Sequence, residues 1–176
     1  MNKVFIAASI DGYIADKAGN LDWLQSIPNP EGIDMGFKDF MQSVDALVMG
    51  RGTFETVCSF DMEWPYEIPV FVLSRTLTDI PEKAQGKAEI VKGNIQDVLK
   101  KIHAKGYLKL YIDGGITIQR FLKEDLIDEL IITSIPILLG GGVPLFSELK
   151  NKQEFTLIKS EVFLNEIVQS HYKRQR

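Results

Sequence analysis

The chain has 176 residues, 45% hydrophobic and 25% charged, with a formal net charge of −4; that suffices for one compact domain with a sizeable core, and residues 1–176 read as a single domain without repeats or linkers. No Lys/Arg run is interleaved with aromatic residues, which argues against a nucleic-acid surface, and the opening apolar run is broken at Ser9 and Asp11, too soon for a signal peptide or a membrane span. Cys58 is the single cysteine, so no intramolecular disulfide forms and a cytoplasmic location is expected; with His103 and His171 far apart in sequence, no metal site is expected either.

Val4–Ala8 reads as the first strand. A polar lead-in containing Asp34 precedes a helix over Phe37–Val44. Ala46–Met49 is a strand that passes through a Gly50-Arg51-Gly52 corner into a short helix over Thr53–Val57. Strands follow at Val70–Leu73 and Glu89–Val91. Asn94 is a good N-cap for a helix over Ile95–Ala104, and Gly106 is a good stop. Leu108–Ile112 is a strand, Gly114–Gly115 a corner, Ile116–Leu122 a helix and Glu129–Ser134 a strand. Phe155–Phe163 and Ile167–Tyr172 flank Leu164–Glu166 as an antiparallel hairpin. Pro28–Gly32 and Gly140–Pro144 read as loops. Several strands lack alternation, as strands buried on both faces do. The expected fold class is α/β, three-layered, with helices on both faces of a mostly parallel sheet of about eight strands closed by the C-terminal hairpin.

In open sheets of this kind ligands bind beyond the C-terminal ends of the strands. That rule selects Ala8–Ile14, Gly50–Thr53, Ser74–Arg75, Asp113–Thr117 and Thr133–Ile135. Free N–H groups at a strand-to-helix corner suit an anion, and arginines add a fixed charge there. Arg51 and Arg75, each directly after a strand, would converge on one phosphate if their strands are neighbours, with Ser74 adding a hydroxyl. Gly114–Gly115 lets a phosphate approach a helix N-terminus, although no third glycine completes a dinucleotide fingerprint. Ser9, Asp11 and Gly12 with Asp22 and Trp23 form a third cluster. Asp11, Asp22, Asp34 and Asp39 are the acidic candidates, and Asp34 stands at the front of a helix that would line the cleft. A carboxylate in a partly apolar cleft is expected to have a raised pKa. Each feature also suits an ordinary turn, cap or surface charge, so they carry weight only together.

Met49-Gly50-Arg51-x-Thr53-x-Glu55, Val72-Leu73-Ser74-Arg75, Ile112-x-Gly114-Gly115 and Leu130-x-Ile132-Thr133 occur in the order seen in dihydrofolate reductases. Ser9-x-Asp11-Gly12 and Pro136–Gly142 more closely resemble the C-terminal reductase domain of the riboflavin-biosynthesis protein RibD, which shares that fold. The resemblance covers nearly the whole chain. It implies an NADPH-dependent reductase acting on a pteridine- or pyrimidine-like small molecule, similar to 5-amino-6-(5-phosphoribosylamino)uracil reductase. Dihydrofolate reductase and a non-catalytic nucleotide-binding dimer of the same fold are the alternatives, and a homodimer is expected.

By resemblance, Arg51 and Arg75 grip the 2′-phosphate with Leu73 and Ser74 beside them. Thr53 lies beside the pyrophosphate, Ala8 and Ile14 flank the nicotinamide, and Gly114 and Gly115 contact the cofactor, with a cis peptide at the glycine pair; Gly50, Ile112 and Thr117 are further cofactor-binding positions. Asp34 matches the substrate-side carboxylate and Thr133 the threonine bonded to it. Ser9, Asp11, Trp23 and Lys38 are the remaining substrate-side candidates. Two departures stand out. Pro65–Pro69 lacks the arginine that holds a folate tail, and between Trp23 and Asp45 there is no arginine, Lys38 being the only cation.

Overall fold

The structure, a computed structural model, describes residues 1–176. In chain order the elements are β1 (Asn2–Ser9), β2 (Tyr13–Ala15), α1 (Phe37–Gln42), β3 (Ala46–Gly50), α2 (Arg51–Ser59), β4 (Val70–Leu73), β5 (Ala88–Val91), α3 (Ile95–Ala104), β6 (Leu110–Asp113), α4 (Gly115–Lys123), β7 (Glu129–Ile135), β8 (Val143–Pro144), β9 (Phe155–Phe163) and β10 (Ile167–Arg174). Eight of the strands form one sheet, ordered β5-β4-β3-β6-β1-β7-β10-β9. The first six run parallel, and β10 and β9 close the edge as the expected antiparallel hairpin.

Non-alternating strands are buried because both faces are covered. Ala46, Leu47, Val48 and Met49 of β3 are completely buried. On one face α3 and α4 press Val98, Ile102, Ile118 and Phe121 onto Val48, Phe71 and Ile112. On the other, α1 and α2 press Phe40 and Phe54 onto Leu47, Met49 and Val72. The expectation for α3 holds to the residue. The Asn94 side chain accepts from the Asp97 N–H at 2.8 Å, and Ile95, Val98, Leu99 and Ile102 form its buried stripe. No helix is long and apolar enough to cross a membrane.

The helix expected over Thr53–Val57 runs over Arg51–Ser59, so Arg51 and Gly52 are its first residues rather than a corner. Two other boundaries differ for local reasons. β6 starts at Leu110 rather than Leu108, because the N–H groups of Leu108 and Lys109 donate to the Asp45 carboxylate at 2.8 Å instead of to a strand. α1 stops at Gln42 rather than Val44; the Ser43 hydroxyl donates to the Phe40 carbonyl at 2.7 Å and closes the last turn. The Gly140–Pro144 loop contains a strand that the sequence did not reveal. This two-residue β8 pairs with β2, Tyr13 against Pro144 and Ala15 against Val143.

Candidate functional site

Because β3 and β4 are adjacent, Gly50 registers with Leu73 and the corners carrying Arg51 and Ser74–Arg75 meet. Their side chains nevertheless have different surroundings. Arg51 donates from Nη1 to the Thr76 hydroxyl at 2.9 Å, and its Nε lies 3.6 Å from Glu55, one helical turn on. Arg75 instead lines a cleft of about 310 Å³ with Leu73, Ser74, Val91, Lys92, Gly93 and Arg120. Three cations therefore face one polar cleft that no carboxylate lines. None of the three takes part in an ion pair. Like charges held together without counter-ions attract an anion. Ser74 is buried and its oxygen accepts from the Leu77 N–H at 2.9 Å, leaving its proton free to donate. Lys92 follows β5 directly, so the strand-end rule reaches it. Arg120 lies on α4 and only the packing of that helix brings it here.

Next to this cleft the first turns of α2 and α4 interlock. A Cβ on Gly114 would overlap the Thr53 hydroxyl, and one on Gly50 would lie 2.8 Å from the Thr117 hydroxyl. Gly114 has φ +89, a backbone that side chains rarely adopt. Each glycine thus makes room for the other helix's threonine, and two helix N-termini present N–H groups side by side. The Gly114–Gly115 bond is trans, like every other peptide bond in the chain, in contrast to the cis bond that the resemblance implies. Ile14 borders Gly115; Ala8 and Ile112 are buried in the core.

The second opening is a cavity of about 610 Å³ on the α1 side of the sheet. Its walls include Phe5, Ala7, Leu24, Ile27, Met35, Ile135, Leu164 and Ile167, and its polar groups come from Gln25, Asn29, Asp34 and Thr133. Asp34 and Thr133 are thus brought to one space. Gln169, which sequence reasoning missed, ties Thr133 to Met35, the residue after Asp34. Its amide donates at 3.0 Å to the Thr133 hydroxyl oxygen and at 3.0 Å to the Met35 carbonyl. The signal for it is register, since Gln169 pairs with Thr133 across β10 and β7. The Thr133 oxygen accepts that bond, so its proton is available to the cavity.

The expected raised pKa of Asp34 is corrected. The N–H of Lys38, and then that of Gly36, each donate to its carboxylate at 3.0 Å and hold it below the usual carboxylate value. The other substrate-side candidates do not line the cavity. The Ser9 hydroxyl donates to Asp11 at 2.6 Å, and Asp11 also accepts from the N–H groups of Leu139 and Gly140 at 3.1 and 2.7 Å. That pair clamps a loop. Trp23 is buried with Ile135 and Ile167, a packing anchor behind the cavity wall. Lys38 is exposed and does not line the cavity.

Asp113, at the C-terminal end of β6, is the other carboxylate that sequence reading assigned no role. Burial pushes its carboxyl up to about 6, partly offset by the Gly114 N–H, which donates to it at 2.8 Å. Burial, then the charge of Asp113, raises the Tyr66 phenol.

A sequence model of the RibD C-terminal domain matches residues 3–169. The uncharacterized protein YwjB of Bacillus subtilis (strain 168) is 35% identical over 173 residues, 97% of this chain and 96% of that protein. A crystal structure of a putative riboflavin biosynthesis protein from Shewanella sp. PV-4 superposes with a TM-score of 0.96 at 58% identity, covering 99% of both chains. Dihydrofolate reductase from Enterococcus faecalis, solved with NADP(H), superposes with a TM-score of 0.69 at 19% identity, over 100% of this chain and 97% of that one, so the fold is dihydrofolate reductase-like.

Proposed function

We propose that this chain, which belongs to the RibD C-terminal domain family, is an NADPH-dependent reductase of a planar, pyrimidine- or pteridine-like small molecule. The observation that carries the cofactor is the cleft where Arg75, Lys92 and Arg120 meet without a counter-ion. The residues fit a phosphorylated dinucleotide. The three cations suit a terminal phosphate, and the interlocked starts of α2 and α4, kept open at Gly50 and Gly114, suit a pyrophosphate. Bound there, NADPH supplies the hydride.

The chain's own residues do the rest. The apolar walls around Phe5, Ile27 and Ile135 exclude water from a flat ring. Thr133 donates its proton to a ring acceptor, with its oxygen fixed by Gln169. Asp34, ionised at neutral pH, accepts from ring N–H groups and so orients the ring; it does not itself carry a proton to deliver. The Shewanella protein is named a putative riboflavin biosynthesis protein, which supports a heterocyclic substrate of that kind. Dihydrofolate fits less well, since no cation lines the cavity to hold its carboxylate tail.

Titration with NADPH and NADH, followed by nicotinamide fluorescence, tests the cofactor assignment. A charge-assisted hydrogen bond contributes about 1.5–3 kcal/mol. Arg75→Ala and Arg120→Ala are therefore each expected to weaken NADPH about tenfold or more and to leave NADH nearly unchanged. Arg51→Ala, already bonded to Thr76, is expected to change the preference less. Equal affinity for NADH and NADPH in the native protein would overturn the reading.

We further propose a homodimer. Edge strand β9 leaves Leu157, Ile158 and Val162 more than half exposed, the kind of edge that natural proteins cover. Sedimentation velocity is expected to give twice the chain mass.

A further inference from the structure

We propose that the substrate of this cavity carries no phosphate or carboxylate, and is an uncharged or cationic planar heterocycle with an N–H edge and an apolar substituent. The inference rests on the cavity being the substrate site, and it narrows that reading to one ligand class.

The charge content of the cavity decides it. Of its 13 lining residues Asp34 is the only charged one, and no lysine, arginine or histidine is among them. Gln25 and Asn29 add neutral amides at one end, and Thr133 a hydroxyl. A phosphate or carboxylate placed inside would meet a carboxylate and apolar walls. Seated against these walls it would give up part of its hydration without gaining a counter-ion and would face the Asp34 carboxylate, which disfavours it. The charges near the rim do not change this. Lys38 is exposed and already close enough to Asp34 to favour its ionised form. Glu166, at the turn next to the lining residue Leu164, adds negative charge and is itself exposed.

The same geometry says what does fit. Asp34 offers a fixed acceptor, since its carboxylate is held from behind by two backbone N–H groups of α1 and its lead-in. An amino-substituted ring places N–H donors there. Thr133 offers a proton to a ring nitrogen or carbonyl on the sheet side. About 610 Å³ lies within the range that holds drug-sized ligands, roughly 300–1,000 Å³. A one- or two-ring heterocycle leaves space along Leu24, Ile27, Leu164 and Ile167, and that space is apolar. A ribosyl phosphate or a glutamyl tail matches none of it.

Calorimetric titration of the full chain, without cofactor, tests this with matched probes. One pair is a 2,4-diaminopyrimidine bearing an aryl carboxylate and its methyl ester. The other is 5-amino-6-(5-phosphoribosylamino)uracil and its dephosphorylated nucleoside. The neutral member of each pair is expected to bind at least tenfold more tightly, and Asp34→Asn is expected to weaken the diaminopyrimidine ester at least tenfold. Asparagine keeps one of the two acceptor oxygens that Gly36 and Lys38 use, and circular dichroism checks that the variant is folded. Tighter binding of either anionic member overturns the proposal, as does failure of both neutral members to bind. A gain by the phosphorylated probe that disappears in Lys38→Ala would identify Lys38 as the phosphate anchor and overturn it too. NADPH binding is read separately by fluorescence, so failure of the cofactor assignment is distinguishable from failure here.

Discussion

Asp113→Asn is expected to stabilise the protein by about 3 kcal/mol at about pH 8 and by almost nothing below about pH 4. Burial raises the carboxyl from 3.8 to about 6 in the folded chain. A carboxyl that titrates one pH unit higher in the folded chain than in the unfolded one costs about 1.4 kcal/mol once ionised, and here the two states differ by roughly two pH units. The sign follows from linkage. Where the native state holds the proton more tightly than the unfolded chain does, stability is highest at low pH and falls as pH rises through the window between the two values. The native protein should therefore lose stability between about pH 4 and pH 6 relative to the variant, and the difference should be flat above that window. Asparagine keeps a carbonyl oxygen for the Gly114 N–H, so the variant removes the charge and little else. Urea denaturation of both proteins at four pH values across this range measures it. Equal stability at about pH 8 would mean that the carboxyl is solvated.

The position of this carboxylate makes the cost informative. Asp113 immediately precedes the Gly114–Gly115 corner and registers with Met49, beside the second strand-to-helix corner. Perturbed carboxylates concentrate at functional sites because chemistry or binding there outweighs their cost to folding. Tyr66 and Tyr111 enclose the same spot, and the Tyr111 hydroxyl donates to the Phe5 carbonyl at 2.9 Å. Phe5 in turn lines the large cavity. Asp113 is thus linked through Tyr111 to the β1 residue that lines the large cavity.

What the sequence reveals here depends on how local each cause is. Val70–Leu73 is four apolar residues in a row, and β4 has those limits because burial on both faces is the whole reason for the run. Asp34 is legible as a cleft residue from its place ahead of α1. Its lowered pKa is not, because the N–H groups of Gly36 and Lys38 reach its carboxylate only once the chain turns through Met35 at φ 54. Arg51 and Arg75 are both legible as corner residues. That Arg51 turns to Thr76 while Arg75 turns to Lys92 and Arg120 is a matter of tertiary packing, with no local signature. Ser9 and Asp11 read as a polar cluster beside a strand end, and so they are. Their partners, the Leu139 and Gly140 N–H groups, lie far along the chain, which is why a loop clamp resembles a binding site on paper. β2 and β8 have three and two residues, too few for any periodic pattern.

That small β2–β8 ribbon underlies the other large expected effect. Gly142→Ala is expected to destabilise the protein by about 3 kcal/mol and to weaken NADPH binding as well. An alanine Cβ at position 142 would fall on the Ala15 carbonyl oxygen, with the Asp16 carbonyl carbon at 2.8 Å and its oxygen at 3.0 Å. All three are backbone atoms, so no flexible side-chain end can swing away, and φ at Gly142 is +140. The relief open to the chain is to lift β8 from β2, which breaks the pairing of Tyr13 with Pro144 and Ala15 with Val143. The damage then spreads to α4. The Pro144 carbonyl accepts from the Gln119 amide at 2.7 Å, and Ile14, Val143 and Pro144 surround Gly115 at the start of that helix. Leu145, next in the chain, is 1% exposed in the main core. Gly140→Ala is the comparison, since a Cβ there meets nothing within 4 Å and φ is +66; its expected cost is about 1–2 kcal/mol from backbone conformation alone. Urea denaturation ranks the two variants, and NADPH fluorescence reads the second consequence. If Gly142→Ala and Gly140→Ala destabilise equally, the ribbon does not hold the α4 corner, and the cofactor-side helix keeps its position without it.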